Sequence, residues 1–242
     1  MTNKPNNPSP PSHLITQTNG TTTLSRKNVV SLPGLHSRLR NPVQRTEGDP
    51  QTRPNRLALV LDVSGSMAGD KIASLRDACA SFVNACNFGD TSLAVEPFGD
   101  TYPSANRLGL TVFQPLALTT VMSLQSHGST PMARALDFVL NSYSITRAVL
   151  VSDGQPDHEQ SVYDSAEQYK QAELPIDTVH IGDEVSGEQV LQRVAEITGG
   201  QFIKFTDINA FARSFKYLTP AYYGQLTSGN VTAEQLGAKE IK

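Results

Sequence analysis

Arg56-Leu-Ala-Leu-Val-Leu-Asp-Val-Ser-Gly-Ser-Met67 is the stretch that decides the fold. Leu57 to Leu61 are five apolar residues without a polar interruption. A strand with one face in water would alternate, so an unbroken run predicts a central parallel strand covered on both faces. A second run of the same kind, Arg147-Ala-Val-Leu-Val-Ser152, lies far along the chain. Each run ends in an aspartate, Asp62 and Asp153, where the chain leaves the strand.

Between and beyond these two runs the pattern switches to helical spacing. Asp70 stands where an N-cap belongs, and Ile72, Leu75, Cys79, Phe82, Val83 and Cys86 recur every three or four residues after it. Ser92–Phe98 and Leu108–Phe113 read as two strands joined by a turn through Asp100–Ala105, an antiparallel edge hairpin. Pro131 suits the first turn of a helix that runs to about Tyr143. Helices over Val162–Glu173, Gly187–Thr198 and Ile208–Leu218 alternate with strands over Ile176–Ile181 and Gln201–Phe205. This alternation predicts an α/β fold: a doubly wound, mainly parallel sheet with one antiparallel edge strand and helices on both faces. Ligands of such sheets sit beyond the carboxyl ends of the strands, where the strand order reverses.

The chemistry gathers at that end. Two carboxylates at neighbouring strand ends are costly unless hydrogen-bonded or paired with a cation. Asp62-Val-Ser-Gly-Ser66 adds two hydroxyls at alternate positions, and Gly65 lets the backbone curl so that both face one point. The donors are all oxygen, which suits a hard divalent cation such as Mg²⁺.

These residues carry a resemblance. Asp62-x-Ser64-x-Ser66, Thr130 within Gly128-Ser-Thr-Pro131, and Asp153-Gly154 within Val151-Ser-Asp-Gly-Gln-Pro156 resemble the metal-ion-dependent adhesion site (MIDAS) of von Willebrand factor type A domains. The similarity spans about Arg56 to Leu218. It implies a Rossmann-like domain that holds Mg²⁺ or Mn²⁺ through Asp62, Ser64, Ser66, Thr130 and Asp153. Ser64, Ser66 and Thr130 would coordinate through hydroxyls, and the two aspartates directly or through water. A sixth position stays open for an Asp or Glu of a protein partner. The resemblance also implies an adaptor without enzymatic activity, like the stand-alone intracellular bacterial members that work with AAA+ ATPases of the MoxR type.

Two readings of other classes compete with it. A secreted or cell-surface adhesion protein would carry the same motif. A Mg²⁺-dependent phosphohydrolase of the haloacid dehalogenase kind needs Asp-x-Asp, and here the second position is Ser64. No phosphate-binding Gly-x-x-x-x-Gly-Lys-[Ser/Thr] loop occurs in the sequence.

The domain is expected over residues 56–222, between a Pro/Ser/Thr/Asn-rich tail at 1–55 and a polar tail at 223–242. The first tail is too poor in apolar residues to fold alone. Only Asn28–Leu35 within it is apolar enough to dock on a surface, and Thr232–Leu236 offers one weak helical turn in the second. Residues 1–55 hold seven basic against two acidic side chains, so that tail carries +5 and the remainder −8. The basic residues form no dense run and no aromatics interleave them, which argues against specific nucleic-acid binding. No apolar stretch approaches the roughly 18 residues of a membrane span. The N-terminus lacks an apolar signal-peptide core, so the expected address is the cytoplasm. Cys79 and Cys86 are the only cysteines. Two helical turns separate them, too far for a disulfide.

Three outlying residues bear on the site. Asp70 and Lys71 are read as cap and solvated charge, and His180 as a half-buried residue with a hydrogen bond. His127, His158, Asp157 and Glu159 are read as loop residues at the rim.

Overall fold

The computed structural model describes residues 48–99 and 104–219 in full, with the backbone of 239–240. Residues 1–47 of the expected tail with the Asn28–Leu35 stretch, the tip of the hairpin at 100–103, and the segment 220–238 with Thr232–Leu236 lie outside the described residues.

β1 (Asn55–Asp62) lies inside the sheet, flanked on both sides. Leu57, Leu59 and Leu61 enter one apolar cluster and Ala58 and Val60 the other, which is why the run shows no alternation. β1 pairs in parallel with β2 (Thr91–Phe98) on one side and β4 (Arg147–Ser152) on the other. β5 (Ile176–Ile181) and β6 (Phe202–Phe205) continue in parallel beyond β4. β3 (Leu108–Thr111) closes the far edge antiparallel to β2. With β7 (Lys239–Glu240), a two-residue antiparallel addition to β6, the order is β3-β2-β1-β4-β5-β6-β7. The order reverses between β1 and β4, so the crevice expected for a ligand opens where Asp62 and Asp153 leave the sheet.

Helices cover both faces. α1 (Asp70–Ala85) packs its Leu75, Cys79, Phe82 and Val83 stripe on one face, joined by Phe211 and Phe215 from α6 (Ile208–Ser214) and the 3₁₀ turn after it. Three aromatic rings meet there at a tilt, Phe82 with Phe215 at 5.1 Å and Phe211 with Phe215 at 5.2 Å between centroids. α3 (Met132–Ser142), α4 (Glu159–Gln171) and α5 (Val185–Thr198) cover the other face. Among the described residues no helix is long and apolar enough to cross a membrane.

Two local expectations change. Gly69, not Asp70, is the N-cap of α1, with φ of 75°. Asp70 is the first helical residue, where its charge complements the helix dipole. The strand expected to reach Phe113 ends at Thr111, whose hydroxyl accepts from Phe113 N, and α2 (Gln114–Met122) follows unannounced. Its Leu116, Ala117, Leu118, Val121 and Met122 leave no single apolar face, and Thr119-Thr120-Val121 is a β-branched run of modest helix propensity. Pro115 in its first turn is the one local signal for it.

Cys79 and Cys86 are unpaired and buried. Burial pushes both thiols up, Cys86 to about 12.

Candidate functional site

The first loop leaves β1 with both oxygens of Asp62 held. Ser64 N donates to Oδ1 at 2.8 Å, and Ser152 Oγ, from the end of β4, donates to Oδ2 at 2.5 Å. Asp62 is fully buried, and burial pushes its pKa up to about 6 against the lowering effect of those hydrogen bonds. The nearby Asp153 charge adds to the rise. Such a carboxylate is poised to gain from a cation.

Next in the loop, Gly65–Met67 forms a 3₁₀ turn that brings the two serines together, Ser64 Oγ to Ser66 Oγ at 3.0 Å. Ser66 Oγ donates to Asp153 Oδ1 at 2.8 Å, which ties the first loop to the third. Asp153 is itself buried, and its Oδ2 takes an ion pair from Lys71 Nζ.

Backbone contacts dock the second loop. His127 N donates to Val63 O at 2.7 Å and Gly65 N to Gly128 O at 2.9 Å. A Cβ on Gly65 would stand 3.4 Å from that oxygen, an ordinary contact, and Gly65 is not among the glycines with positive φ, so the turn does not depend on glycine there, contrary to the sequence expectation. Thr130 then pairs reciprocally with Asp157: Thr130 N donates to Asp157 Oδ1 at 2.9 Å, and Asp157 N to Thr130 O at 3.0 Å. Asp62, Ser64, Ser66 and Asp153 are thus joined through the two serines, while Thr130 arrives on a loop strapped to both others. Its hydroxyl bonds none of the four among the described residues.

α5 braces the third loop from behind. A Cβ on Gly187 would meet Gly154 C at 2.6 Å and its Cα and O at 2.8 Å, all backbone atoms that cannot swing aside. Gly187→Ala is therefore expected to push α5 off Gly154 and cost about 1–3 kcal/mol, the range for overpacking, read as a lower midpoint in urea. A midpoint equal to wild type would show that the contact yields freely.

Several residues behave differently from expectation. Lys71 is not merely solvated, since it pairs with Asp153. Asp157 does more than line the rim, and Ser152, unremarked in the sequence, holds Asp62. His180 near the end of β5 is fully buried rather than half-buried. Burial lowers its pKa and keeps the ring neutral. His127 and His158 are exposed loop residues, and Glu159 opens α4. Beside the second loop, Ser129, Pro131, Met132, Arg134, Asp157 and His158 line a groove of about 310 Å³ with mixed polar and apolar walls.

The donor set fits a hard divalent cation. Two ligands at right angles on an ion about 2.1 Å away stand about 3.0 Å apart, and the Ser64 and Ser66 hydroxyls have that spacing. Among the described residues no three His, Cys, Asp or Glu side chains gather as a metal-binding group, so the set rests on hydroxyls and two carboxylates.

Comparison with known proteins bears on the fold. The chain resembles the manganese-loaded TRAP protein of Plasmodium vivax with 23% identity and a TM-score of 0.52, over 60% of this chain and 63% of that one. It resembles mussel byssus proximal thread matrix protein 1 with a zinc-occupied MIDAS motif at 15% identity and TM-score 0.56, over 69% and 45%. The pilus tip protein Mfa5 of Porphyromonas gingivalis, through its vWF domain, matches at 12% identity and TM-score 0.54, over 78% and 98%. At such identities the likeness is one of fold, and the chain spans less than two thirds of the length of the first two. A search of curated protein sequences finds no significant match. The sequence profile of the von Willebrand factor type A domain matches residues 55–203, more than half of the chain. With that match, a sheet order reversing at β1 and three loops meeting over it, the chain belongs to the von Willebrand factor type A domain family, a family of metal-dependent protein-interaction modules.

Proposed function

We propose that this domain captures an acidic residue of a partner protein through a Mg²⁺ or Mn²⁺ ion held by Asp62, Ser64, Ser66, Thr130 and Asp153. The observation that carries the reading is the Ser64–Ser66–Asp153 oxygen cluster closed over buried Asp62. The ion would supply a Lewis-acidic point at the crevice. Because most of its direct ligands are neutral hydroxyls, much of its charge is left to attract a carboxylate. Asp62 and Asp153 balance that charge from beneath, and Ser152 and Asp157 hold the loops in place. The groove beside Thr130 gives a partner further surface. The role proposed is binding without catalysis, in keeping with a family of interaction modules.

The cytoplasm is the proposed address, on the ground that both cysteines are free thiols. Cell fractionation decides that point. For the function, the deciding experiment is a pull-down with wild type and Asp62→Ala, each in Mg²⁺ and in EDTA. Partners are expected only with wild type in Mg²⁺. An AAA+ ATPase among them would support the adaptor reading, and membrane or matrix proteins the adhesion reading. The same partners in all four lanes would overturn the proposal.

A further inference from the structure

Lys71 is oddly placed for an ordinary surface charge. It is the second residue of α1, where the positive end of the helix dipole disfavours a cation. Its stem carries the ammonium to Asp153 Oδ2, a residue 82 positions away in sequence. The two ends of this ion pair differ in freedom. The Asp153 side chain is 1% exposed and that of Lys71 37%. The carboxylate is fixed in the site, while the ammonium has an open route to water. Asp153 Oδ1 is meanwhile taken by Ser66 Oγ, one of the hydroxyls assigned to the cation.

We propose that Lys71 is a built-in competitor of the divalent ion: its ammonium neutralises Asp153 when no metal does, and must yield when the metal binds. This rests on the metal-binding reading above. An ion drawing on Ser66 and Asp153 meets the ammonium within a few ångströms. It either repels that charge in place or displaces it to solvent at the cost of the ion pair. Both effects lower affinity. At a partly solvated rim, removing the positive charge is worth on the order of tenfold in affinity. Lys71 thus sets the cation concentration at which the domain becomes competent to bind its partner.

The test is Mn²⁺ binding by the full chain, followed by electron paramagnetic resonance of the free ion, with thermal melts in EDTA and in saturating Mn²⁺. Lys71→Met is expected to bind Mn²⁺ about tenfold more tightly. It should melt below wild type in EDTA, because a buried carboxylate has lost its counter-charge, and gain more than wild type on adding Mn²⁺. Lys71→Arg keeps the charge and should stay near wild type. A purely structural ion pair predicts another pattern, with lower melting in both conditions and unchanged or weaker Mn²⁺ binding, and that result overturns the proposal. Asp62→Ala separates the two levels. If wild type binds, Asp62→Ala does not, and Lys71→Met matches wild type, only the competitor role falls. If Asp62→Ala binds like wild type, or neither wild type nor Lys71→Met binds, the metal reading falls and takes this one with it.

Discussion

Asp62→Asn is expected to weaken divalent-cation binding about 100-fold or more and yet leave the cation-free protein at least as stable as wild type. The two effects have opposite signs because the same burial causes both. Asp62 is fully enclosed, and its carboxyl is pushed from an ordinary value of 3.8 to about 6. The folded state therefore holds that proton more tightly than the unfolded chain does. Stability contributed by this group is fully present below the unfolded value and is lost as pH rises through about 6. At neutral pH the shift is worth about 3 kcal/mol against folding. An asparagine keeps an oxygen for Ser64 N and offers an amide toward Ser152 without carrying the buried charge. In EDTA, the difference in stability between Asp62→Asn and wild type should grow between pH 5 and pH 7. In wild type, Mn²⁺ affinity should fall about tenfold per pH unit below 6, since the ion and the proton compete for one carboxylate. Isothermal titration across that pH range reads both. Asp62→Asn binding Mn²⁺ within threefold of wild type would remove Asp62 from the metal site.

Much of that arrangement is legible in the sequence, and the reason is physical. Leu57–Leu61 and Ala148–Val151 are apolar at every position because helices cover both faces of β1 and β4, so the runs name the centre of the sheet directly. Asp62 follows the first at once and Asp153 the second after Ser152, and the two-residue spacing of Ser64 and Ser66 puts both hydroxyls on one side of a tight turn. The supporting contacts are hidden for an equally physical reason. Ser152 reaches Asp62 across 90 positions, Lys71 reaches Asp153 across 82 and Asp157 reaches the Thr130 backbone across 27. Periodicity reports which way a side chain points along its own element, not what stands opposite. Lys71 reads as a solvated charge because nothing local says otherwise. His180 misleads in the converse way, since a histidine ending a strand usually finds water, and here α5 closes over it. α2 has no apolar stripe at all, and no reading based on a face could have found it.

The second large effect lies at the opposite end of the sheet. Arg147 opens β4 and Asp177 stands at the start of β5, so their pair sits at the amino ends of the strands while the loops of the site sit at the carboxyl ends. Arg147 grips the carboxylate with two donors, Nε to Oδ2 and Nη2 to Oδ1 at 2.6 Å, and Gln201 N adds a third to Oδ1 at 2.8 Å. The Asp177 side chain is fully enclosed and that of Arg147 only 17% exposed. Burial raises the Asp177 pKa while the guanidinium opposes the rise. Removing one partner leaves the other charge in a poor solvent, so Asp177→Ala is expected to cost about 3–5 kcal/mol in a urea denaturation. A loss under 1 kcal/mol would mean that water reaches Arg147 and replaces the carboxylate. The cost belongs to the unmatched charge more than to the pair itself. An Arg147→Met, Asp177→Leu double variant, which removes both charges and fills the space, should recover most of the loss. Neither variant touches Asp62, Asp153 or the loops that carry the hydroxyls. Mn²⁺ affinity of the folded fraction should therefore stay at the wild-type value, in contrast to Asp62→Asn, where affinity collapses and stability does not.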